Sequence, residues 1–321
     1  MILGDTCTRR CRFCAVKTGL PKTVDWTEPK RVADSVAEMG LRHVVITMVN
    51  RDELKDGGAS VMAQTVRAIH HAAPECSVEV LTSDFMGDRE AIAVVMESKP
   101  EIFSHNIETI RRLTPQVRSR SDYDRSLQVL KAAQQIDPKA VVKSSMMLGL
   151  GESEEEIHEA MGDLLNHGAR VMNLGQYLQP TRRHLPVQKY WSPDEFASLK
   201  EKALELGFLH CEAGPLVRSS YHAGEDYESY RKKIHPLAQD EELARKLSFY
   251  FSLRQSDRPN RGIRAYSMSA IRRAFRSFLR RPRASETPFP FSLRRHFARS
   301  SRSPRRRPRR PAYAGRRAWR P

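Results

Sequence analysis

The chain has 321 residues, 40% of them hydrophobic and 29% charged, with a net charge of +17, which allows one large domain or two of ordinary size. The charge is unevenly spread: Phe251 to Pro321 holds 22 arginines, no lysine and two acids, Asp257 and Glu286, a net of +20, so residues 1–250 carry −3. No apolar run approaches the ~20 residues that span a bilayer, the N-terminus lacks a secretory layout, and five cysteines with three crowded together do not read as a disulfide framework, so the expectation is a cytoplasmic protein with no membrane part.

Residues 1–215 alternate short β-rich runs with amphipathic segments of helical length. In chain order the pattern predicts strand Met1–Gly4, helix Pro29–Met39, strand His43–Val49, helix Ala59–Ala72, strand Ser77–Leu81 and helix Arg89–Glu97. Strand Ile102–Asn106, helix Ser121–Gln135, strand Val141–Leu148, helix Glu154–His167, strand Val171–Tyr177 and helix Pro193–Leu206 follow. Ser153 with Glu156 three residues on reads as a capping box, and Ser192 as an N-cap. Such alternation predicts an α/β fold with a parallel sheet, either open or curved toward a barrel. Chemistry in these folds sits on the loops at the C-terminal strand ends. Those loops are Asp5–Cys14, Asn50–Gly58, Asn106–Glu108, Gly149–Glu152 and Gln176–Pro180. The expected organisation is a catalytic body over 1–224, a helical extension over 225–252 with Asp240–Leu247 as its best helix, and an Arg/Pro/Ser-rich tail over 253–321. The tail is expected to be disordered because it cannot bury a core.

The segment D-T-C-T-R-R-C-R-F-C puts Cys7, Cys11 and Cys14 in one loop. Three thiolates can hold three irons of a cubane cluster and leave the fourth iron open, whereas clusters that only carry electrons usually have four cysteine ligands. Arg9, Arg10 and Arg12 add positive charge that favours the deprotonated ligands. A zinc site is the alternative, but no fourth His or Cys stands at finger spacing. An incidental cysteine cluster is the other. Cys76 and Cys211 read as buried thiols, and Met146 and Met147 as core. His70, His71, His158 and His167 have no partner spacing and are given no role.

The C-x₃-C-x₂-C pattern, with Phe13 before its last cysteine, resembles the signature of the radical S-adenosylmethionine superfamily. There the open iron is chelated by the cofactor's methionine, and reductive cleavage yields a 5′-deoxyadenosyl radical. Further segments narrow the resemblance: N-R-D-E-L-K-D-G-G-A at Asn50–Ala59, H-N-I-E-T at His105–Thr109, G-L-G-E at Gly149–Glu152, G-Q-Y-L-Q-P-T at Gly175–Thr181 and G-P-L-V-R-S-S-Y-H-A at Gly214–Ala223. In this order they resemble the lipoyl synthases, from Met1 to about Ala223.

That resemblance implies a partial (β/α)₆ barrel that inserts two sulfur atoms at carbons 6 and 8 of an octanoyl chain on a carrier-domain lysine. It implies a [4Fe–4S] cluster on Cys7, Cys11 and Cys14, with S-adenosylmethionine on its open iron. Gly57 and Gly58 match a glycine pair near the methionine end of the cofactor. Asn106, Glu108, Lys143 and Ser144 match strand-end positions that line the cofactor and substrate pocket. Ser220, with Ser219 as fallback, matches a serine ligand of a second, auxiliary [4Fe–4S] cluster. The implied partners are octanoylated carriers of the dehydrogenase-complex E2 or glycine-cleavage H-protein type, and an electron donor such as flavodoxin or ferredoxin.

Two features depart from the family. Three further cysteine ligands of the auxiliary cluster, expected in an N-terminal extension, are absent from this sequence, and the expectation is a truncated start. The arginine-rich tail is expected to be a frameshift product, with an arm binding nucleic acid through its charge as the alternative. A different radical S-adenosylmethionine enzyme, or an inactive iron–sulfur protein whose tail binds nucleic acid, are the competing functional readings.

Overall fold

The computed structural model describes residues 1–220 together with Ala223, Gly224 and Tyr227. The rest of the 225–252 extension, including Asp240–Leu247, and the 253–321 tail lie outside the described residues. The first elements are two short strands, β1 (Thr6–Cys7) and β2 (Lys17–Thr18), paired in parallel. They are followed by six strands, β3 (His43–Thr47), β4 (Ser77–Leu81), β5 (Ile102–Ser104), β6 (Val141–Leu148), β7 (Val171–Gln176) and β8 (His210–Gly214). All six run parallel in sequential order in one sheet. Among the described residues β3 and β8 do not pair, so the sheet is an open, partial barrel.

The helices are α1 (Glu28–Glu38), α2 (Ala59–Ala72), α3 (Arg89–Met96), α4 (Thr114–Val117), α5 (Tyr123–Ile136), α6 (Glu154–Asn166) and α7 (Pro193–Leu206). Their apolar faces cover the sheet, and one continuous core runs from Ile2 to Cys211. Such coverage is typical of parallel sheets. Local chemistry sets the helix starts. Ser153 accepts from the Glu156 amide while the Glu156 side chain returns to the Ser153 amide, and Ser192 with Glu195 repeats the device behind Pro193. None of the described helices is long and apolar enough to cross a membrane.

Two expectations change. Met1–Gly4 is not a strand, because Leu3 and Gly4 take left-handed φ values of 71° and 95°; only Ile2 keeps a parallel bridge, to Met48. The sixth strand is instead β8, which pairs with β7 from Val171↔His210 to Gly175↔Gly214. The other five predicted strands and the six predicted helices agree with the pattern to within two residues at each end, while the pattern does not predict β1, β2 and α4.

The chain after β8 turns back along the sheet. The Asn173 amide donates to the Arg218 carbonyl at 3.2 Å, and Lys143 Nζ donates to the Ser219 carbonyl at 2.6 Å. At Gly175 a Cβ would stand 2.2 Å from the Val217 carbonyl oxygen. Tyr227 then packs on Ile102, Val141 and Val171, the first residues of β5, β6 and β7, and stacks on His43.

Candidate cluster and cofactor site

The loop that carries the three cysteines is held at both ends and in the middle. Cys7 ends β1, and its carbonyl accepts from the Gly19 amide at 3.0 Å. The Thr8 amide donates to the Asn50 carbonyl at 3.1 Å, and the Arg12 amide to the Val117 carbonyl at 2.9 Å. The His184 ring bonds the Cys14 carbonyl at 3.0 Å, and the Leu185 amide donates to the Arg12 carbonyl at 3.2 Å. All three thiols are free and half-buried. They open on one cavity at the C-terminal ends of β3, β4 and β5, shared with Asn50, Thr82, His105, Asn106, Glu108 and Arg118.

Burial pushes the Cys11 thiol up to about 11 and raises Cys14 as well, because a thiolate there would lose its water. Such thiols become anionic ligands when a positive centre binds them and the proton leaves. The Arg9 amide already points at Cys7 Sγ, 3.5 Å away, as a donor suited to a thiolate. The three thiols therefore fit an iron–sulfur cluster. Among the described residues no group of three or more His, Cys, Asp or Glu converges on a single-ion site.

One of the loop's three arginines, Arg9, acts differently from the expectation. Arg9 is buried and turns away from the sulfurs: its Nε and Nη2 grip Asp52 at 3.0 and 2.8 Å, Nη2 also reaches Asp84, and Nη1 donates to Ser121 at 3.2 Å. Its charge is taken up by two carboxylates. The cation that opposes burial at Cys11 is Arg118. Arg118 is itself buried, and its Nη1 donates at 3.1 Å to the carbonyls of Asn106 and Ile107. Nothing in the R-S-R-S run around it signals this, since its partners lie on the β5 loop.

Glu108 carries the second feature of the cavity. It holds φ +65°, a conformation costly for a residue with a side chain, and β6 pins it there. Its amide donates to the Ser145 carbonyl at 3.1 Å, and its carbonyl accepts from the Met147 amide at 2.9 Å. Burial raises the Glu108 carboxyl, against the opposing influence of Arg118 and Asn106. Asn106 Nδ2 donates to it at 3.2 Å, while Asn106 Oδ1 is buried without a partner. A carboxylate and an orphaned amide oxygen beside three thiols suit the cationic, hydrogen-bonding end of a ligand. His105 is structural: Nδ1 donates to the Thr82 carbonyl at 3.0 Å, so Nε2 accepts from the Ser126 hydroxyl at 3.1 Å, and burial lowers the ring to about 4.

Comparison with known proteins agrees with this chemistry. Residues 1–164 match the radical SAM superfamily. The lipoyl synthase of Oceanobacillus iheyensis is 62% identical over 225 residues, 70% of this chain and 72% of that protein. The lipoyl synthase of Bacillus subtilis is 59% identical over 233 residues, 73% of this chain and 78% of that one. The chain belongs to the lipoyl synthase family. As a radical SAM protein it takes a [4Fe–4S] cluster and S-adenosylmethionine. Solved structures of methylornithine synthase (13% identity, 64% of this chain and 62% of that chain, TM-score 0.52) and of a maturase of the [FeFe]-hydrogenase (16% identity, 64% and 48%, TM-score 0.51) share the fold.

Within this lipoyl synthase family member the expected site residues divide into groups. Cys7, Cys11, Cys14, Asn106 and Glu108 line the cavity together. A second cavity adjoins it through Leu81, Asn106 and Glu108, and is lined further by Ser145, Met146, Met147, Asn173 and Ser219. Met146 and Met147 thus face a cavity as well as packing with the core. Lys143 and Ser144 line neither cavity and lie in the first half of β6 rather than at its end. Lys143 pairs with Glu79 at 3.1 Å, and Ser144 Oγ accepts from the Ile107 amide at 3.2 Å. Gly57 and Gly58 also stay outside the lining. They form the left-handed entry to α2, where a Cβ on Gly58 would meet Leu3 at 2.5 Å. Ser220 is exposed and lines neither cavity. Cys76, just before β4, and Cys211, in β8, are buried in the core, as expected of plain thiols.

Proposed function

We propose that this chain inserts sulfur at carbons 6 and 8 of an octanoyl group carried on a lysine of a protein domain, with the body over 1–224 as its catalytic domain. The observation that carries the reading is the grouping of three free, half-buried thiols with Glu108 and Asn106 on one cavity, in a chain about 60% identical to lipoyl synthases. Cys7, Cys11 and Cys14 would hold the cluster. Bound together, cluster and S-adenosylmethionine supply reductive cleavage of a sulfonium and hydrogen abstraction from an unactivated carbon.

The chain's own residues bind, orient and exclude water. Glu108 and Asn106 Oδ1 would accept hydrogen bonds from the cofactor's ammonium end, an interaction that their removal from water would strengthen. Arg118 holds the Asn106–Ile107 backbone in place and offsets the negative charge of the site. The second cavity, with Met146 and Met147 on its wall, is shaped for an apolar acyl chain that reaches the cofactor past Asn106 and Glu108. Ser220, with Ser219 as fallback, is the residue we assign to an auxiliary cluster, which would be consumed to supply the two inserted sulfur atoms; Cys76 and Cys211 are buried in the core and unsuited to it. The carrier is an octanoylated E2 lipoyl domain or glycine-cleavage H protein, and flavodoxin or ferredoxin supplies the electron.

Anaerobic reconstitution tests this. The reading expects about four irons per chain on the three thiols, and release of 5′-deoxyadenosine that depends on an octanoyl-lysyl peptide. Cys11→Ala should lose both the visible absorption and the cleavage. Full iron content and activity in that variant would refute the ligand assignment, and cleavage indifferent to the octanoyl group would refute the substrate.

A further inference from the structure

We propose that the mouth of the barrel is a docking surface for an acidic face of the folded carrier domain, built around Arg10, Arg12, Arg182 and Arg183. The proposal rests on the function proposed above and goes beyond it by naming the surface and the charge of the partner.

The four arginines are exposed, yet they are not scattered. Arg10 and Arg12 lie in the cysteine loop, and Arg182 and Arg183 in the loop that follows β7. The two loops are joined by the Leu185 amide on the Arg12 carbonyl and by the His184 ring on the Cys14 carbonyl. All four arginines therefore belong to one joined pair of loops, one of which carries the cysteines. None of the four makes an ion pair among the described residues, a state they share with exposed Arg42 and Arg67; what sets the four apart is that they fall on one joined pair of loops. The nearby acids do not cancel them. Glu53 is committed to Arg51, and Asp5 accepts from Thr6 and faces Lys17.

This patch stands out because residues 1–250 as a whole carry −3. Positive charge is gathered on the two loops that carry and brace the cysteines. Two exposed leucines border it: Leu178 just after β7, and Leu20 beside the Gly19 amide that bonds Cys7. A charged rim with a little apolar surface has the composition of a transient protein interface. The substrate's chemistry selects the partner. An acyl chain tethered to a lysine reaches the cofactor only if the domain around that lysine faces the rim. Carboxylates on that domain would be steered to the arginines and set in register by them.

The test uses the full chain, the octanoylated glycine-cleavage H protein, a short neutral octanoyl-lysyl peptide and a mixed-sequence RNA. Arg182 and Arg183 are changed, since neither lies among the proposed cluster or cofactor residues. In fluorescence anisotropy, R182E/R183E should weaken H-protein binding at least about tenfold and flatten its salt dependence, and R182Q/R183Q should give a smaller shift in the same direction. In turnover, KM for the H protein should rise while kcat and peptide turnover stay unchanged. Carrier binding equal to wild type in both variants would overturn the proposal. So would a loss of RNA binding with carrier binding kept, which would make the rim a nucleic-acid surface. The two readings fail separately: charge-dependent binding without any turnover removes the proposed function and leaves the docking surface, whereas normal turnover with unaltered binding does the reverse.

Discussion

Arg9 stands between two cluster cysteines in the chain, yet its guanidinium is spent on Asp52 and Asp84, which come from the loops after β3 and β4. Arg125 reaches the other oxygen of Asp84 at 2.8 Å, so α5 joins the same network. A buried ion pair contributes little compared with an apolar replacement, but removing one partner strands a charge and costs about 3–5 kcal/mol. Asp84→Asn should therefore lower the unfolding free energy measured by chemical denaturation by up to about 3–5 kcal/mol and also reduce iron retained after reconstitution, because the cysteine loop loses its anchor. Arg9→Met combined with Asp84→Asn should recover part of the stability and little of the iron. Equal loss in the single and double variants would show that Arg9 does not depend on Asp84. The acid response has a defined sign. Burial alone would raise the Asp84 carboxyl, but Arg9 outweighs it and holds the group well below the usual carboxylate range. Its stabilising contribution is therefore complete above the unfolded value of about 3.9 and is lost as pH falls below it. The three cysteines were legible because their spacing is local. The Arg9 network was not, because its carboxylates lie 43 and 75 residues further along the chain.

At the scale of elements, helices α2 and α7 were legible to the residue because apolar periodicity and punctuation coincide there. Gly58 opens α2, and Ser192, Pro193 and Gly207 bracket α7. Strand β8 escaped because H-C-E-A-G offers neither alternation nor β-branched residues; only its register against β7 makes it a strand. The return segment after β8 was equally hidden, since it depends on a missing side chain at Gly175. A Cβ there would meet backbone atoms of Val217 at 2.2 and 3.2 Å, and backbone cannot swing aside. Gly175→Ala should cost about 1–3 kcal/mol and speed amide exchange at 217–219, where Asn173 and Lys143 lose their carbonyl partners. Gly162 within α6 is the control: a Cβ there meets nothing within 4 Å, so Gly162→Ala should add up to about 1 kcal/mol. If both alanines leave stability and exchange unchanged, the close approach at Gly175 is not a constraint.

The whole molecule divides by charge before it divides by structure. Every residue lining the two cavities falls between Met1 and Ser219, inside the compact unit Met1–Gln255, whereas the +20 from Phe251 onward lies beyond the site. The charge boundary is a property of composition: the run of arginine, proline and serine lacks the apolar residues of a core, and the βα alternation before it has them. Deleting Arg254–Pro321 takes the net charge from +17 to −3, since the removed stretch holds all 22 of those arginines and both acids. Two outcomes follow from different physics. Cofactor cleavage by the reconstituted protein should stay close to that of the full chain, because no residue lining either cavity is removed. Binding to mixed-sequence RNA at low salt should fall steeply, because phosphate affinity of this kind scales with the number of cations presented. A drop in cleavage greater than tenfold, with iron content unchanged, would show that the basic stretch reaches the site and that the charge boundary is not a functional one.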